Sequence, residues 1–288
     1  MPRTLTVAAA QLGPSSATKA ETVERMVALM EEAGQQGVEL LSFPELSLTP
    51  YFATTVHTAY EDFFEEAMPS VTTLPLFRAA RRTGIHFILP YAERDGDEHY
   101  NSAVFVAPDG TILGKYRKMH IPGWVEPRWE GLNILEKRYF APGNLGFPVV
   151  AHPKAMVGAL ICYDRRFSES YRALALNGAE LLCVPYNTPS FGQPKEAGQE
   201  TAEIMLRAAA MENQIFIVAI GKSGVENGAE YIGGSEIIAP SGKVLAKAQT
   251  DGDELVIAAI DVDEITLAKK KWDLLADRRP DQYRLLAE

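Results

Sequence analysis

Two stretches of this chain are echoed later in it, in the same order, and that repetition limits the fold more than any single segment does. Gly37-Val-Glu-Leu-Leu-Ser-Phe-Pro-Glu45 is answered by Gly178-Ala-Glu-Leu-Leu-Cys-Val-Pro-Tyr186, and Val106-Ala-Pro-Asp-Gly-Thr-Ile-Leu113 by Ile238-Ala-Pro-Ser-Gly-Lys-Val-Leu245. In the second pair, Pro-Asp-Gly and Pro-Ser-Gly are hairpin turns between strands, with glycine supplying the positive φ angle. Chance likeness between two common turn patterns is the simpler explanation, but it leaves the shared order unexplained, whereas duplication accounts for it. Two similar halves, each a sheet with helices, then pack sheet against sheet. No linker, charge block or low-complexity run divides them, so residues 1–288 read as one domain.

The local pattern agrees with an α/β chain, because short apolar β-branched runs alternate with stretches of helical period. Strands are expected near 5–11, 38–43, 86–91, 102–106, 111–116, 156–162, 181–185, 215–220, 235–238, 244–248 and 255–260. Helices are expected over 19–32, 71–82, 167–177, 199–213 and 265–275. In the first of these Val23, Met26, Val27 and Met30 recur at spacings of three and four, and Gly37 follows as a stop. Residues 118–148 show little regular pattern, and an irregular connection of that length is usually functional.

Charge and composition exclude whole classes of function. Lys and Arg number 28 against 38 Asp and Glu, a net charge of −10, which argues against the basic footprint of a nucleic-acid binder. No apolar run approaches the roughly 18 residues of a membrane span. The start, Met-Pro-Arg-Thr-Leu-Thr-Val-Ala-Ala-Ala-Gln, has a short apolar part that alternates like a strand rather than a signal peptide. Cys162 and Cys183 are too few for a disulfide framework, so a reduced, cytoplasmic protein is expected.

Common catalytic motifs are absent: no phosphate loop ending in Gly-Lys-Ser/Thr, no Gly-x-Gly-x-x-Gly after the first strand, no Gly-x-Ser-x-Gly elbow and no His-Glu-x-x-His. The five histidines, His57, His86, His99, His120 and His152, lack metal-ligand spacing, and the two cysteines lie 21 positions apart. Attention therefore falls on polar residues at strand ends, where α/β folds build their sites. Glu45 follows an apolar strand, Cys162 ends another and is followed by Tyr-Asp-Arg-Arg, and Lys118 closes a strand and turn. A thiol near a helix start and a cation is expected to have a depressed pKa and to be nucleophilic as the thiolate. Taken singly, Cys162 is equally a small buried hydrophobe, as Cys183 is read to be, and Glu45 with Lys118 is equally an ordinary salt bridge.

Together these residues are recognisable. Phe43-Pro-Glu45, Lys115-Tyr-Arg-Lys118-Met-His-Ile-Pro and Ile161-Cys162-Tyr-Asp-Arg-Arg resemble the three catalytic segments of the nitrilase superfamily of carbon–nitrogen hydrolases, in order and spacing over essentially the whole chain. Within it, Leu135-Glu-Lys-Arg-Tyr-Phe-Ala-Pro-Gly-Asn-Leu-Gly-Phe-Pro-Val, Tyr186-Asn-Thr-Pro and the tail from Pro280 to Glu288 look most like the N-carbamoyl-D-amino-acid amidohydrolase branch.

The resemblance implies an αββα sandwich of two packed sheets flanked by helices. Its subunits would associate through helices into a homodimer or homotetramer, with no metal or organic cofactor. By likeness, Glu45 is the general base, Cys162 the nucleophile, Lys118 the oxyanion stabiliser, and the backbone N–H of Tyr163 its second donor. Glu136 matches a second glutamate that orients substrate or Lys118. The substrate implied is a small carboxylated N-carbamoyl compound. Arg165 and Arg166 would anchor its carboxylate through a guanidinium fork, with Asn187 and Thr188 completing the anchor and His120 nearby. Salt bridges from the arginines to Asp164 and Glu169 are the plainer alternative.

Three departures from that branch concern the pocket walls: Ile134 replaces a histidine, Tyr163 replaces an asparagine, and the loop after Pro189 reads Ser-Phe-Gly-Gln-Pro-Lys-Glu-Ala-Gly-Gln-Glu. Amidase, nitrilase and N-carbamoylputrescine-type activities remain as alternatives. A binding subunit without turnover is a further one, against which the retained Glu45, Lys118, Cys162 and Glu136 argue.

Overall fold

The computed structural model describes residues 2–286; Met1, Ala287 and Glu288, the last two belonging to the family-like tail, lie outside the described residues. The first half runs β1 (Thr4–Gln11), α1 (Lys19–Gln35), β2 (Leu40–Ser42), α2 (Leu74–Thr83), β3 (His86–Asp95), β4 (Glu98–Val106) and β5 (Ile112–Arg117). A one-turn helix, α3 (Glu136–Tyr139), precedes the second half: β6 (Val149–His152), β7 (Ala155–Ala159), α4 (Ser168–Leu176), β8 (Leu181–Tyr186), α5 (Lys195–Asn213) and β9 (Phe216–Gly221). A hairpin, β10 (Ser223–Glu226) and β11 (Ala229–Ile232), leads to β12 (Glu236–Ile238), β13 (Val244–Lys247), β14 (Glu254–Asp261) and α6 (Glu264–Lys271).

Pairing shows the duplication directly. In the sheet ordered β14-β1-β2-β3-β4-β5, the parallel trio β1, β2 and β3 continues into antiparallel β4 and β5. In the sheet ordered β13-β12-β9-β8-β7-β6, the parallel trio β7, β8 and β9 continues into antiparallel β12 and β13. An antiparallel strand flanks each trio on its other side, β14 beside β1 and β6 beside β7. The echoed Leu-Leu segments are β2 and β8, and the echoed Pro-x-Gly turns join β4 to β5 and β12 to β13.

The inner sheet faces share one core, in which Leu5, Val7, Ile88 and Phe105 cluster with Val157, Leu181, Val218 and Ile237. Outside, α1 and α2 cover the first sheet with Val23, Met26, Met30, Leu76 and Phe77. Leu174 of α4 and Leu206 and Ala210 of α5 cover the second. Each fully buried Leu, Ile, Val or Phe contributes about 1.5–3 kcal/mol, so every layer is held by its apolar face. The entry of α1 is set by a capping box: Thr18 Oγ1 accepts from the Glu21 N–H at 3.2 Å, and Glu21 accepts from the Thr18 N–H at 3.1 Å.

Four expectations change. The strand expected to reach Cys162 stops at Ala159, and Cys162 instead opens a 3₁₀ turn over Cys162–Arg166 with φ +50°. Within the irregular 118–148 region, Glu136–Tyr139 is helical. The last helix ends at Lys271 rather than running to Leu275. The β10–β11 hairpin, which the strand pattern does not predict, turns on Asn227 and Gly228, both at positive φ. Among the described residues no helix is long and apolar enough to cross a membrane.

Candidate active site

The site forms where β2, β5, β7 and β8 end. Glu45, three residues past β2, is fully buried and all its oxygens are engaged. Its Oε1 accepts from Lys118 Nζ and from Asn101 Nδ2, both at 2.7 Å, and its Oε2 accepts from the Asn187 N–H at 2.9 Å. Lys118 Nζ also donates to both oxygens of Glu136, at 2.8 and 2.7 Å. The pair is therefore not an ordinary salt bridge: one ammonium with no exposed side-chain surface is shared between two buried carboxylates. Burial alone would lower the Lys118 pKa, but Glu136 and Glu45 more than reverse it and the ammonium is held charged. Burial pushes the Glu136 carboxyl up to about 7, against the pull of Lys118 and with the help of the Glu45 charge.

Main-chain geometry fixes Lys118 as firmly as its side-chain partners do. Its N–H donates to Asn101 O at 2.7 Å, and its C=O accepts from the Gly143 N–H at 2.8 Å. Gly143 is required by this close approach, since a Cβ there would lie 2.1 Å from Arg117 O. Asn101 on β4 thus serves both the backbone of Lys118 and the carboxylate of Glu45. Nothing in its strand pattern singled it out.

Cys162 sits on the positive-φ turn, a strained conformation for a residue with a Cβ. Asp164 pins that turn: its carboxylate, with no exposed surface, accepts from the Ile161 N–H at 3.1 Å, Tyr116 Oη at 2.7 Å and the His120 N–H at 2.9 Å. The expected depression of the Cys162 pKa is not found. Burial, then the Glu45 carboxylate, push the thiol up to about 12, and the opposing Lys118 and Arg165 do not compensate. A five-residue 3₁₀ turn is also too short to supply the field of a helix terminus. Chemically, such a thiol gives up its proton to a base as it attacks rather than standing as a thiolate. Cys183 is core, as expected, with burial pushing its thiol up to about 12.

A cavity of about 290 Å³ opens beside Cys162. Its polar wall comprises Glu136, Arg165, Arg166, Asn187 and Thr188; Trp124, Trp129, Ile134, Tyr163 and Phe191 form the apolar wall, and Tyr51 lines it as well. Arg165 is buried: Nη2 donates to Thr188 Oγ1 at 2.9 Å, Nη1 lies 3.8 Å from Cys162 Sγ, and Nε has no partner among the described residues. Arg166 is exposed at the cavity and, among the described residues, has no acidic partner. The alternative salt bridges to Asp164 and Glu169 do not form.

Two expected site residues are differently engaged. Asn187 donates its side-chain amide to the Glu45 carbonyl at 2.7 Å, so it braces that residue instead of being free for a substrate carboxylate. His120 is absent from the cavity wall; it stacks on Phe167 at 3.8 Å between centroids and its Nδ1 lies 2.8 Å from Asp164. Tyr51 escaped the sequence reading although its Oη donates to Glu136 Oε1 at 2.5 Å. Its loop carries no pattern that marks it. Among the described residues no group of three or more His, Cys, Asp or Glu is arranged to hold a metal.

Comparison with known proteins bears on this geometry. Residues 6–270 match the carbon-nitrogen hydrolase family. A nitrilase of Pyrococcus abyssi is 34% identical over 282 residues, covering 96% of this chain and 98% of that protein. An N-carbamoylputrescine amidase of Solanum tuberosum is 33% identical over 300 residues, covering 99% and 95%. The crystal structure of a carbon-nitrogen hydrolase from Helicobacter pylori G27 superposes with a TM-score of 0.90 at 27% identity, covering 99% of both chains.

Proposed function

The chain belongs to the carbon-nitrogen hydrolase family, and from that premise we propose that it hydrolyses the ureido group of an N-carbamoyl amino acid, the D form in particular, to amino acid, ammonia and carbon dioxide. The observation that carries this reading is Arg165, a buried guanidinium on the cavity wall with its Nη1 3.8 Å from Cys162 Sγ, backed by the exposed Arg166 on the same cavity. A guanidinium fork suits a carboxylate a few bonds from the reacting carbonyl.

In this reading Sγ of Cys162 attacks the ureido carbon while Glu45 takes the thiol proton. Lys118 Nζ and the Tyr163 N–H receive the developing oxyanion, and such a preorganised donor is worth about 2.7–4 kcal/mol to the transition state. Collapse breaks the bond to the amino-acid nitrogen, which leaves with the proton from Glu45, and the carbamoyl group stays on sulfur. Glu45 then deprotonates a water that attacks the carbamoyl carbon, returning the thiol and releasing carbamate, which falls apart to carbon dioxide and ammonia.

The likeness to N-carbamoylputrescine amidase supports a second reading, a ureido substrate with no carboxylate beside the reacting group. Ammonia release from N-carbamoyl-D- and L-methionine, N-carbamoylputrescine and simple aliphatic amides separates the two, with Cys162→Ala as control. Arg165→Lys and Arg166→Gln are expected to raise KM about tenfold or more for the carboxylated substrates alone. An equal effect on N-carbamoylputrescine removes the carboxylate anchor, and turnover of amides alone removes the ureido assignment.

A further inference from the structure

Lys222, just before β10, and Glu226, at its end, form an ion pair buried at both ends, Nζ to Oε1 at 2.5 Å. Such a pair is often less stabilising than apolar residues of the same volume, so its presence asks for a role beyond stability. Both Glu226 oxygens reach main-chain donors of other segments: Oε1 accepts from the Ser15 N–H and Oε2 from the Tyr51 N–H, each at 2.8 Å. The same hairpin touches Tyr51 again, through the Tyr231 ring at 6.2 Å and 84°. Lys222 Nζ in turn lies 5.6 Å from that Tyr231 ring. From Tyr51 the chain of contacts continues through its hydroxyl to Glu136 and on to Lys118.

We propose that Glu226, braced by Lys222, is a positioning residue for the catalytic centre: it fixes the backbone of Tyr51 so that the phenol holds Glu136 in register with Lys118. The proposal rests on the catalytic reading of Lys118 and Glu136 above. Glu136 faces Lys118, Glu45 and Tyr51, and the Tyr51 hydroxyl is among the groups that pull its carboxyl down against burial. When Tyr51 shifts, Glu136 therefore protonates at higher pH and loosens its hold on the ammonium.

Glu226→Asp keeps the charge for Lys222 and withdraws the acceptor from the Tyr51 N–H. Two readouts are taken across pH: kcat and KM for N-carbamoyl-D-methionine, and the rate at which iodoacetamide alkylates Cys162, which needs no substrate. Glu226→Asp is expected to lower kcat about tenfold with KM within about threefold, and to move the acid limb of both profiles upward. Added to Tyr51→Phe it does nothing further, because both changes cut one path. Lys222→Met/Glu226→Gln, which keeps one acceptor oxygen for the two main-chain donors and removes both charges, is expected to recover only part of the kcat lost in Glu226→Asp.

Additivity with Tyr51→Phe, or unshifted pH profiles, overturns the proposal. Failure of both Glu226 variants to fold assigns the pair to stability and overturns it equally. Absence of turnover in the wild type defeats the substrate assignment instead, and the alkylation profiles then decide this proposal alone.

Discussion

Asn187 holds Glu45 at two points, its backbone N–H donating to the carboxylate at 2.9 Å and its side-chain amide to the carbonyl at 2.7 Å. The two residues follow the ends of β2 and β8, the strands that carry the first sequence echo. The duplication thus brings the end of one half against the end of the other, and the Glu45 carboxylate is aimed from across the sandwich.

Asn187→Ala tests that brace. It leaves the buried Glu45 carbonyl without this donor, at a cost of about 1–3 kcal/mol in unfolding free energy. The backbone N–H of residue 187 still reaches the carboxylate, but the Glu45 main chain loses its tether, and kcat is expected to fall about tenfold with little change in KM. Denaturant melts and steady-state kinetics on one preparation check both, and an unchanged kcat would separate the brace from catalysis.

Removing the shared cation is harsher. Lys118→Met leaves the Glu45 and Glu136 carboxylates buried together, a change expected to cost about 3–5 kcal/mol of stability and about a hundredfold or more in kcat. Adding Glu136→Gln removes one of the two uncompensated charges, so the melting temperature recovers while activity does not. Recovery of both would mean that Lys118 acts only as a counter-ion.

Glu136, held up to about 7, accepts a proton as pH falls through that value and weakens its grip on Lys118, so kcat/KM falls on the acid side near neutrality. Glu136→Gln is expected to flatten that limb. Cys162, pushed up to about 12, stays a thiol across the working range, and its alkylation by iodoacetamide should keep rising from pH 7 to about 10. A plateau below pH 8 would show a preformed thiolate.

Gly143→Ala puts a methyl 2.1 Å from Arg117 O, so the main chain carrying Lys118 must move. Loss of activity and a lowered melting temperature are expected. Gly252→Ala, where an added Cβ meets nothing within 4 Å, serves as control and is expected to stay within about 0.5 kcal/mol of wild type.

α4 and α5 leave Leu176, Ile204 and Met211 exposed. These are apolar side chains that the expected association through helices would cover. Light scattering should then give a multiple of 31.6 kDa, reduced to the monomer by Ile204→Glu with Met211→Glu. A monomeric wild type would remove the association.

The sequence by itself determined the duplicated α/β sandwich and singled out Glu45, Lys118 and Cys162 as candidates that the fold then brings to one end of the sheets. Strand alternation and turn chemistry are local, and order along the chain is kept when segments are repeated. It also marked Arg165 and Arg166, because they adjoin Cys162. What only the tertiary structure decided is how side chains far apart in sequence share protons and space. Asn101 meets Glu45, Tyr51 meets Glu136, and Glu226 meets the Tyr51 backbone, across separations of 56, 85 and 175 residues. The thiol shows the same division. Its neighbours in sequence suggested a low pKa, but the charge state of a buried group follows from desolvation and from the Glu45 carboxylate beside it, and neither exists until the two sheets have closed.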